Sequence, residues 1–315
     1  MNQIVSAIES GFTDKALSLI KNEFLSISDG LKLLNIAFKF DAVDVFKFLI
    51  NESHLRFDMP THNYESKLRA ASYQGLVKFV KMIMEEKLIS NDCVLSSLNA
   101  AILNGHAEIV KILLHDERIC QYDLSVHMLT SAFERNSNST SSEIIKIILS
   151  DKRCDPSLYN NNALMHASDL GLTKIVKMLL SDKRTDPSSR CSIGIILASE
   201  KNYVDIVKIL LADERVDPTT NQNEPIRDAC YYNRIESAKI LLDIERVDPT
   251  AKNNEAVRMA CEEGDLEILE LLLHDKRIKP FAIDVDRLNI QNRHNIKKVI
   301  EMLKTAGWNI NDVSN

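Results

Sequence analysis

The phrase Asp213-Glu214-Arg215-Val216-Asp217-Pro218, within "LLADERVDPTTNQN" (210–223), sets three carboxylates around one guanidinium. Carboxylates beside a base are the raw material of a charge relay. A relay also needs a histidine or a nucleophile held at the same place, and the phrase supplies neither. Nor is the phrase unique. Versions of it stand at 148–158 ("ILSDKRCDPSL"), 179–189 ("LLSDKRTDPSS"), 241–251 ("LLDIERVDPTA") and 272–282 ("LLHDKRIKPFA"), with a worn copy at 113–123 ("LLHDERICQYD"). Its arginine recurs at 118, 153, 184, 215, 246 and 277, at intervals of 35, 31, 31, 31 and 31. An active site is normally built once, whereas a fixed period in this range marks an array of small supersecondary units. The phrase is expected to be a connector. Asp-Pro sets a turn, because Pro fixes φ and the Asp side chain bonds the nearby backbone. The arginine is expected to bridge carboxylates of its own or the adjacent connector.

Other chemistry-bearing residues are scattered. Eight histidines, at 54, 62, 106, 115, 127, 166, 274 and 294, form no HExxH and no close pair. Six cysteines, at 93, 120, 154, 191, 230 and 261, form no CxxC, so neither metal nor disulfide use is expected. They read as small buried residues of a reduced, intracellular protein, with Cys230 and Cys261 at the same repeat position. GxxxxGK[ST], GxGxxG and GxSxG are all missing, which leaves no signature for a cofactor or a hydrolase.

The elements that would position these residues follow from a second marker. Gly11, Asp41, Gly75, Gly105, Asn136, Gly171, Asn202, Asn233 and Gly264 are spaced 30 to 35 residues apart, and Asn295 extends the series by 31. All are types that tolerate a left-handed backbone where a helix stops. Before each marker lies a short helical pattern, such as "NALMHASDLG" (162–171) or "EPIRDACYYN" (224–233), with Pro225 in the first turn where Pro is tolerated. After it comes a second pattern, such as "VDIVKILLAD" (204–213), with an apolar stripe at helical period. Each helix has only two to three turns and is too short to persist alone. Stacking must hold it, and Ala71, Ala101, Ala132, Ala167, Ala198, Ala229 and Ala260 form a small-residue column that permits close approach.

Composition fits a folded chain: 45% apolar and 27% charged residues, with few Gly (8) or Pro (7) for linkers. At 315 residues the length alone would predict about two domains; an array grows by addition and needs no second core. A net charge of −6 gives no nucleic-acid footprint. The first residues, "MNQIVSAIESGF", lack the basic start of a signal peptide, and the apolar run "IGIILA" (193–198) is far short of a membrane span. A cytoplasmic location is expected, which leaves the glycosylation patterns at Asn51 and Asn138 without meaning.

The residues resemble the ankyrin repeat. "NGHAEIVKILL" (104–114) and "EEGDLEILELLL" (262–273) are similar to the second half of that family's unit; "NALMHA" (162–167) and "EPIRDA" (224–229) are remnants of its first half. The resemblance implies an all-α ankyrin-repeat solenoid of about ten helix-turn-helix units. The period of 31 against about 33 predicts shortened inter-repeat hairpin turns. One domain is expected over 1–315: degenerate N-terminal units over 1–60, core repeats over 61–283 and a capping unit over 284–315, sealed by "GWNIND" with Trp308 on the last stripe. The "LLxDxRVDPS…NN" form resembles ankyrin arrays of amoebae and of their giant viruses, where the location would be host cytoplasm. A serine-rich insertion, "RNSNSTSSE" (135–143), reads as a tolerated loop or a phosphorylatable one.

For function, the family implies a non-enzymatic scaffold that binds another protein through its concave face, as a monomer, without nucleic acid, membrane or cofactor. The partner-facing residues of such repeats are the hairpin tips and the two residues before each marker. Here those pairs are Tyr73-Gln74, Leu103-Asn104, Glu134-Arg135, Asp169-Leu170, Glu200-Lys201, Tyr231-Tyr232 and Glu262-Glu263. Tyr73, Arg135, Tyr231 and Tyr232 are the expected hot spots, with Leu103 and Leu170 as apolar contacts. The alternatives are an adaptor to ubiquitin-ligase machinery, for which no F-box-like or SOCS-box-like segment is evident, and a host-directed effector.

Overall fold

The computed structural model describes residues 1–23, 25–51, 61–85, 89–119, 125–134, 139–280, 283–284, 295–308 and 310–311. They are almost wholly helical, and no helix among them is long and apolar enough to cross a membrane. The chain divides into two compact parts, residues 1–124 with 134–153, and residues 125–133 with 154–315.

In the first part, helix pairs run Asn2–Glu9 with Thr13–Asn22, Ile27–Lys39 with Val43–Asn51, Thr61–Gln74 with Val77–Met84, and Asn91–Asn104 with Ala107–Leu114; Ser139–Ser150 packs on the last of these. In the second part the pairs are Leu158–Asp169 with Thr173–Ser181, Ser189–Glu200 with Val204–Leu211, Thr220–Tyr231 with Ile235–Leu242, and Ala251–Glu263 with Leu266–Leu273, followed by Ile296–Thr305. Within each part, first helices pack on first helices and second helices on second helices. The alanine column is buried throughout, and so are the stripes Ile175, Val176, Leu179 and Ile206, Val207, Leu210. Each such side chain contributes roughly 1.5–3 kcal/mol on full burial.

The markers behave as their types predict. Gly11, Asp41, Gly75, Gly105, Gly171, Asn202, Asn233 and Gly264 all have positive φ. At each helix end the residue after the marker donates its N–H to the column alanine five positions back: His106 to Ala101, Leu172 to Ala167, Tyr203 to Ala198 and Arg234 to Ala229, at 2.7–2.9 Å. This is the closing bond of a Schellman turn. Asn136 lies outside the described residues. Asn295 departs from the series: it has φ −90° and caps the start of the helix Ile296–Thr305, and the left-handed residue comes after that helix, at Gly307. Trp308 is buried beside it. A two-residue parallel pairing, Ile283–Asp284 with Ile310–Asn311, also lies outside the all-helical expectation. The supposed loop 135–143 is shorter than predicted: Ser139–Glu143 open the helix Ser139–Ser150, drawn in by its buried Ile144, Ile145 and Ile148, and only 135–138 fall outside the described residues.

The connectors hold more structure than a charged turn. Asp116, Asp151, Asp182, Asp213 and Asp275 each take a forked pair of bonds from the arginine two residues on, for example Arg215 Nε at 2.9 Å and Nη2 at 2.6 Å. Those bonds hold all five carboxyls below their ordinary pKa. The inter-repeat partner of the arginine is a backbone carbonyl of the preceding connector, not a carboxylate. Arg184 donates to Cys154 (2.9 Å), Arg215 to Thr185 (2.8 Å), Arg246 to Val216 (3.1 Å) and Arg277 to Val247 (2.8 Å). A carbonyl fixed by its own turn presents a lone pair at a constant place, whereas a neighbouring carboxylate is already occupied by its own arginine. Asp186, Asp217 and Asp248 then cap the turn two residues on, accepting from the backbone and hydroxyl of Ser188, Thr219 and Thr250 at 2.6–3.0 Å.

After this turn the chain makes a feature with no counterpart in the sequence reading. Tyr159-Asn160-Asn161, Asn221-Gln222-Asn223 and Lys252-Asn253-Asn254 are three consecutive left-handed residues each, and Arg190 and Ser192 are left-handed at the matching positions. A left-handed residue costs roughly 1–2 kcal/mol for most side chains, and least for Asn. The third residue offsets that cost by binding the next repeat: Asn161 Oδ1 accepts from the Asp186 N–H and Asn223 Oδ1 from the Asp248 N–H, both at 2.7 Å, and Ser192 Oγ accepts from Asp217 N–H at 3.1 Å. The right-handed first helix starts only after it, at 224 where the triplet is Asn221-Gln222-Asn223, which puts Pro225 in the first turn as its ring requires. The last copy lacks its partner. The donor to Asn254 would be residue 279, where Lys279-Pro280 replaces Asp-Pro, and Asn254 Oδ1 is buried with no hydrogen bond among the described residues. Glycine relieves φ at both positions, so Asn223→Gly, which also loses the staple, is expected to be less stable than Asn254→Gly by about 1–2 kcal/mol. Urea unfolding of the two variants checks this; equal effects would show that the staple is immaterial.

Candidate functional site

The residues before each marker end the first helix of a repeat, so the Schellman turn fixes their direction. In the first part, Tyr73 is 62% exposed and Gln74 is exposed, while the Tyr73 carbonyl accepts from His106 Nε2 at 2.9 Å. His106 lies so close over Gly75 that a Cβ there would meet its ring at 2.6 Å, which confirms a structural role for this histidine. Leu103 and Asn104 are half-buried; Asn104 turns back onto its own helix, donating to the Ala100 carbonyl at 2.8 Å. Leu103 is thus less available than an exposed apolar contact would be. The Glu134 side chain and Arg135 lie outside the described residues.

The second part carries the denser row. Leu170 is exposed, and Asp169 is held by Lys201 in an ion pair, so two expected partner contacts satisfy each other across one repeat. The same pair raises the Lys201 pKa. Glu200, Glu262 and Glu263 are half-buried. Tyr231 and Tyr232 are 40% and 42% exposed, with ring centroids 4.8 Å apart in an edge-to-face arrangement. They are adjacent large apolar surfaces at the end of a helix whose opposite face, Ile226, Ala229 and Cys230, is fully buried. The backbone under them is also tied down: Arg234 Nε donates to the Glu200 carbonyl at 2.6 Å, and Ser237 donates its N–H and hydroxyl to Asn202 Oδ1.

Around the tyrosines lie residues that the two-before-marker rule passes over. Asp228 precedes Tyr231 and Tyr232 by three and four positions, and Glu224 precedes Asp228 by four, so all share a helix face. Burial, together with the neighbouring Glu224 carboxylate, pushes the Asp228 carboxyl up to about 6. The Glu200 carboxylate, more than any other group, raises the Tyr232 phenol, and burial with Glu263 raises Asp265. The one buried cation among the described residues, Arg227, is committed elsewhere, to the Glu255 carboxylate and to the carbonyls of Asn221 and Gln222. Helical periodicity was the signal available for Asp228 and Glu224: stepping back three and four residues from the tyrosines reaches them.

Stacked helix–turn–helix repeats whose variable residues end the first helices define a repeat protein. The chain belongs to the ankyrin-repeat family: the family model described as ankyrin repeats (3 copies) matches residues 98–191 and 195–284, more than half of the sequence. No curated protein matches it.

The raised Asp228 carboxyl sets a pH dependence. An acid whose pKa rises on folding binds its proton more tightly in the native state, so its effect is neutral below about 4 and costs stability progressively as pH rises through 6. Asp228→Asn is expected to raise stability at pH 7.5 by about 1 kcal/mol, discounted for solvent reaching this half-buried group, and to leave it unchanged at pH 4. Melting curves at the two pH values measure the difference.

Proposed function

We propose that this chain is a non-enzymatic scaffold that binds another protein through the row of residues preceding the markers, centred on Tyr231 and Tyr232. The observation that carries the reading is that exposed aromatic pair, held edge to face on a short helix whose other face is fully buried. Tyrosines supply large contact area at little entropic cost, and aromatic residues dominate binding hot spots. A rigid repeat adds little ordering cost on association. Leu170, Glu200, Glu262 and Glu263 complete the row in the second part, and Tyr73 and Gln74 offer a smaller exposed patch in the first. Function as a monomer, in the cytoplasm and without nucleic acid accords with the acidic charge and reduced cysteines. The 31-residue connector form, resembling arrays of amoebae and their giant viruses, would make that a host cytoplasm in the viral case.

The test is an affinity pull-down with mass spectrometry, comparing the native chain with Tyr231→Ala/Tyr232→Ala after confirming equal melting temperatures. Specific partners are expected to fall at least tenfold in recovery, since two hot-spot truncations together exceed about 1.4 kcal/mol. Undiminished recovery would place the binding surface elsewhere.

A further inference from the structure

We propose that the Tyr231–Tyr232 face receives an arginine- or lysine-bearing segment of a partner protein; this rests on the placement of the binding surface above. The occupant follows from charge complementarity. Glu200 and Asp228 act on the Tyr232 phenol, Glu262 and Glu263 hold the equivalent positions of the next repeat, and none of the four has a cation within ion-pair distance among the described residues. The local cations are engaged. Lys201 pairs with Asp169, Arg227 with Glu255, Arg234 binds the Glu200 carbonyl, and Arg258 donates to the carbonyls of Lys252 and Asn253. Two exposed π faces beside unpaired carboxylates match a guanidinium, which stacks on a ring while its edge donates to carboxylate oxygens. An acidic or phosphate-bearing partner would meet repulsion on the same surface.

The titration behaviour of the face points the same way. Burial acts most on Asp228, followed by Glu224 and Arg227 on its own helix, Glu200 from the preceding first helix and Glu255 from the following one, and the carboxyl is pushed up to about 6. The Tyr232 phenol is raised by Glu200 and then by Asp228 among its neighbours. At both groups the neighbouring carboxylates act against the opposing Arg227 or Arg234. A bound guanidinium would stabilise the Asp228 carboxylate, so a proton is released on binding near pH 6 and affinity grows between pH 5.5 and 7.5.

The test uses the full chain and three fluorescein-labelled twelve-residue Gly/Ser peptides carrying Arg, Lys or Glu at every third position, with binding followed by anisotropy. The Arg peptide is expected to bind most tightly, the Lys peptide less and the Glu peptide not at all. Tyr231→Ala/Tyr232→Ala and Glu200→Gln/Asp228→Asn should each weaken the Arg peptide about tenfold. Tyr231→Phe/Tyr232→Phe keeps both rings and should keep the affinity. Glu236→Gln/Glu267→Gln removes the same charge from the second helices and should change affinity less than twofold. Equal weakening by this control, or no weakening by the site variants, would overturn the proposal, reducing the attraction to net charge. If the alanine pair abolishes partner recovery from the lysate while Arg-peptide binding is unaffected, the basic occupant is wrong and the binding surface stands; if neither responds, both fail.

Discussion

At Arg184, Arg215 and Arg277 one side chain holds a carboxylate of its own turn and a carbonyl of the turn before it, and so links a repeat to the last. The helices it serves are two to three turns long and would not persist singly, so their order is inherited from contacts with neighbours. The forked Asp–Arg pair keeps the guanidinium aimed, and its remaining donors reach back about thirty residues to Cys154, Thr185 or Val247. Pair and carbonyl are one device: without the aspartate the arginine has many rotamers to lose, and without the carbonyl the pair is an ordinary surface ion pair of small value.

The second device runs the other way along the array. Asn161 and Asn223 reach forward to the N–H of the next connector aspartate, from a backbone bent into three left-handed residues. Forward and backward links together clamp each connector between its neighbours. At the ends of the first helices the connectors make no demand on residue identity, and Asp169-Leu170, Glu200-Lys201, Tyr231-Tyr232 and Glu262-Glu263 succeed one another at equivalent positions. Variation settles where the scaffold does not need the side chain.

Much of this was legible in the sequence because it depends on backbone chemistry that few residue types satisfy. A positive φ at a helix end narrows the choice to Gly, Asn or Asp, so the markers could be read directly, and the alanine column followed from close helix approach. The arginine's partner was hidden because a carbonyl belongs to every residue and leaves no trace in composition. The left-handed triplets were hidden too, since an Asn pair reads as an ordinary loop until its tertiary staple is seen. Asn295 misled because it kept the interval while its helix starts at once, making it an N-cap. At the surface, the rule of two residues before the marker found the tyrosines but not Asp228, whose role comes from burial and from carboxylates on three successive helices.

One connector breaks the pattern. Where the others have aspartate two residues before the arginine, the chain has Ile244, and Arg246 keeps a single hydrogen bond among the described residues, to the Val216 carbonyl. Its neighbour Arg277 binds Asp275 and several carbonyls besides. In a linear array whose strength is a sum of nearest-neighbour terms, failure under load starts at the weakest link. Pulled from its ends, the second compact part would yield first at the joint between the connectors at Val216 and Arg246, which makes this joint a mechanical fuse flanking the helix pair that carries the tyrosines.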